Sequence, residues 1–280
     1  MAKYRQLRQR LLDSGVVSPT DLAVPAAATD DQLCLAHTHE YVRRVTEGRL
    51  TTSEIRRIGF PWSPQLVERS RRSVGGTIAA CAMAIDDGVG VNLAGGTHHA
   101  FAHRGEGYCV FNDVAVAIRV HQREQRAQRV LVVDCDVHQG NGTAAIFRDD
   151  PSVFTFSMHG RRNFPSRKEV SDLDVALDDA MADAEYLRAL ECALASGPAR
   201  HVADLAVYVS GADPFAGDRL GRLALSKEGL AARDRCVLDW CYDHGLPVAL
   251  VMAGGYSTRI SDIVDIHCAT VKRSRSNARR

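Results

Sequence analysis

The sequence predicts an α/β chain in which a mainly parallel sheet lies between two layers of helices. Three features carry the prediction: near-continuous Val, Leu and Ala runs of strand length, amphipathic stretches between them, and no linker or repeat anywhere in the 280 residues. A strand buried on both faces reads as an unbroken apolar run, whereas one with a wet face alternates. A chain of this length can bury one large core.

Taken in order, helical patterning over residues 4–12 and 33–46 leads to a long helix over 64–87, with Ser63 as its cap and Pro64 at its first position. Residues 89–93 form a strand ending at Gly95-Gly96, and residues 112–125 a helix. A second strand covers 130–136 and a third 153–157, followed by a helix over 184–195. Residues 205–209 run into Ser210-Gly211, residues 226–244 are helical, and residues 248–252 run into Ala253-Gly254-Gly255. Helices between strands supply the crossovers that parallel pairing needs. One domain is expected over 1–271, followed by a basic, flexible tail over 272–280 that carries Lys272, Arg273, Arg275, Arg279 and Arg280.

Composition narrows the function. A formal charge of +1 provides no overall field for a polyanion, so direct nucleic-acid binding is not expected. No apolar window is long enough to cross a bilayer and the N-terminus is polar, so a soluble, cytoplasmic protein without membrane contact is expected. The eight cysteines, among them Cys81, Cys135 and Cys241, are scattered in apolar surroundings without a Cys-x-x-Cys pair. They read as reduced core residues, and any metal falls to oxygen and nitrogen ligands.

Such ligands stand in Val132-Val133-Asp134-Cys135-Asp136-Val137-His138-Gln139-Gly140-Asn141-Gly142. Alternation places Asp134, Asp136 and His138 on one side of a strand end, where they oppose one another unless a cation lies among them. A helix cap would need only one of these carboxylates. Asp213 follows another strand, either as a third ligand or as a turn residue before Pro214. Three ligands leave a position open for water and a substrate carbonyl, as metal-assisted amide or ester hydrolysis requires; Zn2+ fits the set, and so does Fe2+. His98-His99 after the first strand can pass protons to and from a water, with Asp134 and Asn141 as orienting partners, or can be a polar loop. Tyr256 can reach a developing oxyanion or simply pack. All these groups follow strands at their carboxyl ends, the edge where parallel sheets bind ligands.

Five motifs now stand together: Gly95-Gly96-Thr97-His98-His99-Ala100, Gly107-Tyr108-Cys109-Val110-Phe111-Asn112-Asp113, the Asp134–Gly142 run, Gly211-Ala212-Asp213 and Gly254-Gly255-Tyr256. In their order and spacing the chain resembles the zinc-dependent histone deacetylase family from about residue 37 to residue 270, most of all its class IV and bacterial branch. The resemblance implies the arginase-deacetylase fold, a three-layer αβα sandwich around a mainly parallel sheet of about eight strands. It implies Asp136, His138 and Asp213 as zinc ligands, His98 and His99 as proton-transfer groups with His99 the general base, and Tyr256 polarising the acyl carbonyl. Gly107, Tyr108 and Phe164 match the family's acyl channel. Asp134, Ser157 and Met158 match a monovalent-cation site for K+. Asn141 stands where many members carry a second aspartate, a loss of charge expected to lower the pKa of His99. Family members usually begin with a strand ahead of the segment that residues 1–12 resemble, so the sheet is expected to lack its N-terminal strand.

The reaction so implied removes an acyl group, acetyl or longer, from an amine. An acylated lysine protein is the expected substrate, with acetylpolyamine or another small acylated amine as the alternative. A reading of another class is a catalytically inactive acyl-lysine-binding scaffold. Such a reader has no need of Tyr256, whereas a hydrolase does. Oligomeric state leaves no signal in the sequence. Phe60 and Trp62 serve either the pocket rim or core packing, and Trp62 reads as packing.

Overall fold

The computed structural model describes residues 2–278. Helices α1 (Ala2–Asp13), α2 (Asp30–Leu33), α3 (His39–Thr46), α4 (Thr52–Ile58) and α5 (Pro64–Asp87) precede the first strand, β1 (Val89–Asn92). Then follow α6 (Asp113–Arg123), β2 (Val130–Asp134), α7 (Asn141–Phe147), β3 (Val153–Gly160), β4 (Leu173–Leu177) and α8 (Asp183–Ser196). The chain ends with β5 (Leu205–Val209), α9 (Lys227–Asp243), β6 (Val248–Val251) and α10 (Ile260–Ala278). The ends of α5 follow from its sequence. Ser63 Oγ accepts the Leu66 N–H at 3.1 Å ahead of Pro64, and Gly88, at φ 84°, turns the chain directly into β1.

All strands pair in parallel, in the order β1-β6-β5-β2-β3-β4. The three-layer arrangement is as expected, but the sheet of the described residues has six strands rather than about eight. Ahead of β1 the described residues are helices and irregular chain; Pro19 and Pro25 interrupt the stretch between α1 and α2, and a proline has no N–H for a ladder. In the opposite sense, β4 escapes sequence reading because its short Leu-Asp-Val-Ala-Leu is only half-buried at a sheet edge.

The apolar runs fill two cores, one on each face. Along β2, Val130 and Val132 join Leu205, Val207 and Val251 beneath α5 and α6. Leu131 and Val133 join Phe156, Tyr208 and Leu250 on the other face, against α1, α8, α9 and α10. The basic segment expected as a flexible tail instead continues α10 as far as Ala278, with Ser274 buried and Arg273 paired to Asp239. Its small and apolar positions face the second core, so the helix carries the charges on its outer side. Arg279 and Arg280 lie outside the described residues. All eight cysteines are free, and none of the described helices is long and apolar enough to cross a membrane.

Candidate active site

Because every strand points the same way, the loops leaving β1, β2, β5 and β6 converge at one edge of the sheet. β2 ends at Asp134, and the chain beyond it is tied to its neighbours by carboxylates accepting backbone N–H groups. Asp134 Oδ1 accepts from Asp136 N at 3.1 Å, Asp136 Oδ1 from His138 N at 3.0 Å, and Asp213 Oδ1 from Val137 N at 2.9 Å. Asp136 Oδ2 accepts from Gly254 N at 2.9 Å. Only glycine fits at 254, since a Cβ there would lie 1.9 Å from Asp213 Oδ2 and 2.5 Å from Asp136 Oδ2.

Asp136, His138 and Asp213 are buried, and one ligand atom from each lies within 4.8 Å of the others. His138 Nδ1 is 3.0 Å from Asp136 Oδ1 and 3.2 Å from Asp213 Oδ2. Asp213 Oδ2 is buried yet accepts no hydrogen bond. An orphaned carboxylate oxygen at the centre of a carboxylate–imidazole–carboxylate set fits a divalent cation. Electrostatics agree. Burial, and then the charge of Asp136, push the Asp213 carboxyl up to about 6. Burial works the same way on Asp136, but bonds from His138 hold that carboxyl well below its ordinary value.

The two adjacent histidines are oriented separately. His98 Nδ1 donates to Asp134 Oδ2 at 2.6 Å, and His99 Nδ1 donates to Asn141 Oδ1 at 2.7 Å. Their rings stand 4.2 Å apart at 52°. Burial opposes charge on both. At His98 the Asp134 carboxylate overrides it and raises the imidazole to about 9. At His99 burial and the neighbouring His98 and His138 hold the imidazole well below 6.5, against the bond to Asn141. Their loop is clamped by Asp113 at the start of α6, which accepts Gly96 N at 3.0 Å, Thr97 N at 2.6 Å and Thr97 Oγ1 at 2.5 Å. Asn112 caps the same helix and donates Nδ2–H to Ala100 O at 3.0 Å and Thr143 Oγ1 at 3.0 Å.

Aromatic side chains surround this centre. Phe164 meets His99 edge-on at 4.8 Å, and the Tyr256 ring is 6.4 Å from His138 and 6.0 Å from Tyr108. Gly107, at φ 56°, lets the wall close: a Cβ would come within 2.6 Å of the His99 ring and 3.0 Å of Phe164. Tyr108 follows at φ 66° and is 45% exposed, with the Phe60 ring beside it at 5.2 Å and tilted by 47°, so Phe60 belongs to the rim. Trp62 does not; its Nε1–H donates to Val45 O at 2.7 Å and its ring packs on the core. Tyr256 is held by its N–H to Asp218 Oδ2 at 2.5 Å, and Lys3 Nζ lies 5.6 Å over its ring while donating to Ala253 O at 3.0 Å. Burial, reinforced by Asp136 and Asp213, pushes the Tyr256 phenol above its ordinary value. A cavity of about 1370 Å³, lined among others by His98, His99, Gly107, Tyr108 and Tyr256, reaches Met83 of α5.

The structure thus brings His98, His99, Asp134, Asp136, His138, Asn141, Asp213 and Tyr256 to one place, with Gly107, Tyr108 and Phe164 at its mouth. Ser157 pairs in register with Asp134, and its Oγ contacts His159 Nδ1 at 3.0 Å. The Met158 side chain is committed to the second core. Three contributors went unread in the sequence. Asp113 clamps the histidine loop. Glu106 accepts Asn141 Nδ2–H at 2.7 Å. Arg233 of α9, wholly buried, donates to Gly211 O at 2.6 Å and Cys135 O at 3.2 Å, bracing the loops that carry Asp213 and Asp136. Asp113 stands inside a quoted motif and was within reach; an arginine on an amphipathic helix carries no such signal.

Comparison with known proteins identifies the family. The model of the histone deacetylase domain matches residues 1–271. An uncharacterized protein of Picosynechococcus sp. is 46% identical over 267 residues, covering 95% of this chain and 89% of that protein. Histone deacetylase 2 of Arabidopsis thaliana is 30% identical over 267 residues, or 91% of this chain and 68% of the relative. The crystal structure of a histone deacetylase homologue from Aquifex aeolicus superposes with a TM-score of 0.83 at 24% identity, covering 96% of this chain and 77% of that one, a likeness of fold. By a family model matched over nearly its whole length, and by relatives that share most of their own length with it, this chain belongs to the histone deacetylase family.

Proposed function

We propose that this chain is a zinc-dependent hydrolase that removes acyl groups, acetyl or longer, from lysine side chains of cytoplasmic proteins. One observation carries the reading: three buried ligand side chains converge beside two histidines whose Nδ1 atoms are each bonded to a different partner. A reader of acyl-lysine would need a pocket but not this proton machinery. Asp136, His138 and Asp213 would hold the metal, and their oxygen and nitrogen donors suit Zn2+, with Fe2+ the other candidate. When bound, the ion supplies Lewis acidity for the acyl carbonyl and acidifies a water beside it.

The remaining steps belong to the chain. His99, its Nδ1–H bonded to Asn141, presents Nε2 to the site and takes the proton of the attacking water. His98, charged by its bond to Asp134, supports the negative charge that develops. Tyr256 keeps its proton and donates to the oxyanion. The departing amine recovers the proton from His99. Gly107, Tyr108 and Phe164 form the walls between which an extended lysine stem lies. Asp134, Ser157 and Met158 would form the K+ site, to which Met158 can offer only its backbone carbonyl.

The test is acyl release by zinc-loaded protein from acetyl-lysine peptides, long-chain acyl-lysine peptides and acetylpolyamines, with His138→Ala as control. Turnover of the peptides that disappears in the control is the expected result. Folded, metal-bound protein without turnover would refute hydrolysis, and turnover confined to acetylpolyamines would refute the protein substrate.

A further inference from the structure

Asn141 has two ends. Its Oδ1 accepts from His99 Nδ1 at 2.7 Å, and its Nδ2 donates to Glu106 Oε1 at 2.7 Å. An amide is nearly symmetric in shape, so its direction is set by what faces each end. Reversed, Asn141 would present N–H to His99, make Nδ1 an acceptor and move the imidazole proton to Nε2, the atom that must be free to act as base. A carboxylate removes that ambiguity because it only accepts. Glu106 is itself fixed: its other oxygen accepts from Arg104 Nε at 3.3 Å, its backbone carbonyl accepts Cys109 N–H at 2.9 Å, and Arg104 lies 3.5 Å over the Phe101 ring. Its side chain is 12% exposed.

We infer that Glu106 is a positioning residue for the reaction, locking the direction of the Asn141 amide and through it the tautomer of His99. The inference rests on His99 being the proton acceptor. It also explains why this site has an amide at 141: an aspartate there would set two carboxylates 2.7 Å apart. Asn141 and Glu106 form a matched pair, in which donor and acceptor can be exchanged but neither partner can be changed alone.

The test is a double-mutant cycle on metal-loaded protein, with folding and metal content checked for each variant. Glu106→Gln leaves the amide direction unspecified and is expected to lower kcat about tenfold with KM unchanged, and Asn141→Asp is expected to cost more, about a hundredfold. Combined, they restore complementarity, since the amide introduced by Glu106→Gln can donate to the new carboxylate while that carboxylate still accepts from His99. The double variant is expected to recover at least about tenfold over Asn141→Asp. Histidine-selective ¹⁵N NMR gives a second readout that does not depend on turnover: His99 holds the Nδ1–H form in the parent and becomes a mixture in Glu106→Gln. Multiplicative losses in the cycle, or an unchanged His99 tautomer in Glu106→Gln, overturn the inference. If His99→Ala loses turnover while the cycle is multiplicative, only the role of Glu106 fails. If His99→Ala keeps full turnover, the reading of His99 fails and takes this inference with it.

Discussion

Replacing Arg233 by methionine tests whether the site depends on a brace buried beneath it. Arg233 is wholly buried and bonds Asp234 Oδ1 through Nε at 3.0 Å and Nη2 at 2.7 Å, while Nη1 reaches the carbonyls of Gly211 and Cys135. Asp234 also accepts from Tyr208 Oη at 2.6 Å and Thr270 Oγ1 at 2.5 Å. Methionine fills most of the volume but removes every donor. Leaving a buried carboxylate without its cation costs about 3–5 kcal/mol. Each of the two orphaned carbonyls adds about 1 kcal/mol, for a loss of roughly 5–7 kcal/mol against a total stability of about 5–15 kcal/mol. Urea unfolding followed by circular dichroism measures it. Arg233→Met/Asp234→Asn should be more stable than Arg233→Met by about 1–2 kcal/mol, because the uncompensated charge is gone. A loss below about 1 kcal/mol for Arg233→Met, or costs that simply add in the double variant, would refute the reasoning.

Two further outcomes follow from the geometry. His37 is buried, donating from Nδ1 to Phe101 O at 3.1 Å and accepting the Asn112 N–H at Nε2 at 2.9 Å, and burial lowers its pKa to about 4. The unfolded chain therefore binds the proton first, and His37 withdraws stability as pH falls from about 6.5 toward 4, at about 1.4 kcal/mol per pH unit. Unfolding free energies at pH 7 and pH 5 should converge in His37→Gln relative to the parent; equal pH dependence in both proteins would contradict this. Gly254→Ala forces a methyl against Asp213 and Asp136 and should weaken metal binding about 10–100-fold in chelator competition while the far-ultraviolet spectrum stays intact, and an unaltered affinity would count against the ligand assignment.

What the sequence revealed and what it hid divide along a physical line. Asp136, His138, Asp213 and the pair His98-His99 were legible because each sits just past an apolar strand, and parallel strands deliver their carboxyl ends to one place. Asp134 and Asp136 read as neighbours on one side of a strand, yet they part: β2 stops at Asp134, which turns to His98, and Asp136 turns to His138 and Asp213. Glu106 and Arg233 were hidden because the groups they brace, Asn141 for one and the carbonyls of Cys135 and Gly211 for the other, are distant in the chain, and a charged residue in a polar stretch of sequence reads as exposed. The tail was misread for the reverse reason: its basic residues were weighed as a cluster, while the spacing of Val271 and Ser274 on a buried helical face was not. The strand count could not come from the residues themselves, since it rested on the family resemblance alone.

The order of the strands fixes when the site can exist during synthesis. Asp136 and His138 emerge from the ribosome before either neighbour of β2, β3 or β5, has been made, and Asp213 follows only after β5. Among the described residues β1, the earliest strand, pairs only with β6, the last, and Gly254, whose N–H steadies Asp136, lies beyond β6. A nascent chain therefore carries two of the three cluster residues on an unfinished sheet, and the cluster could take its final geometry only once the chain through β6 and Gly254 has been released.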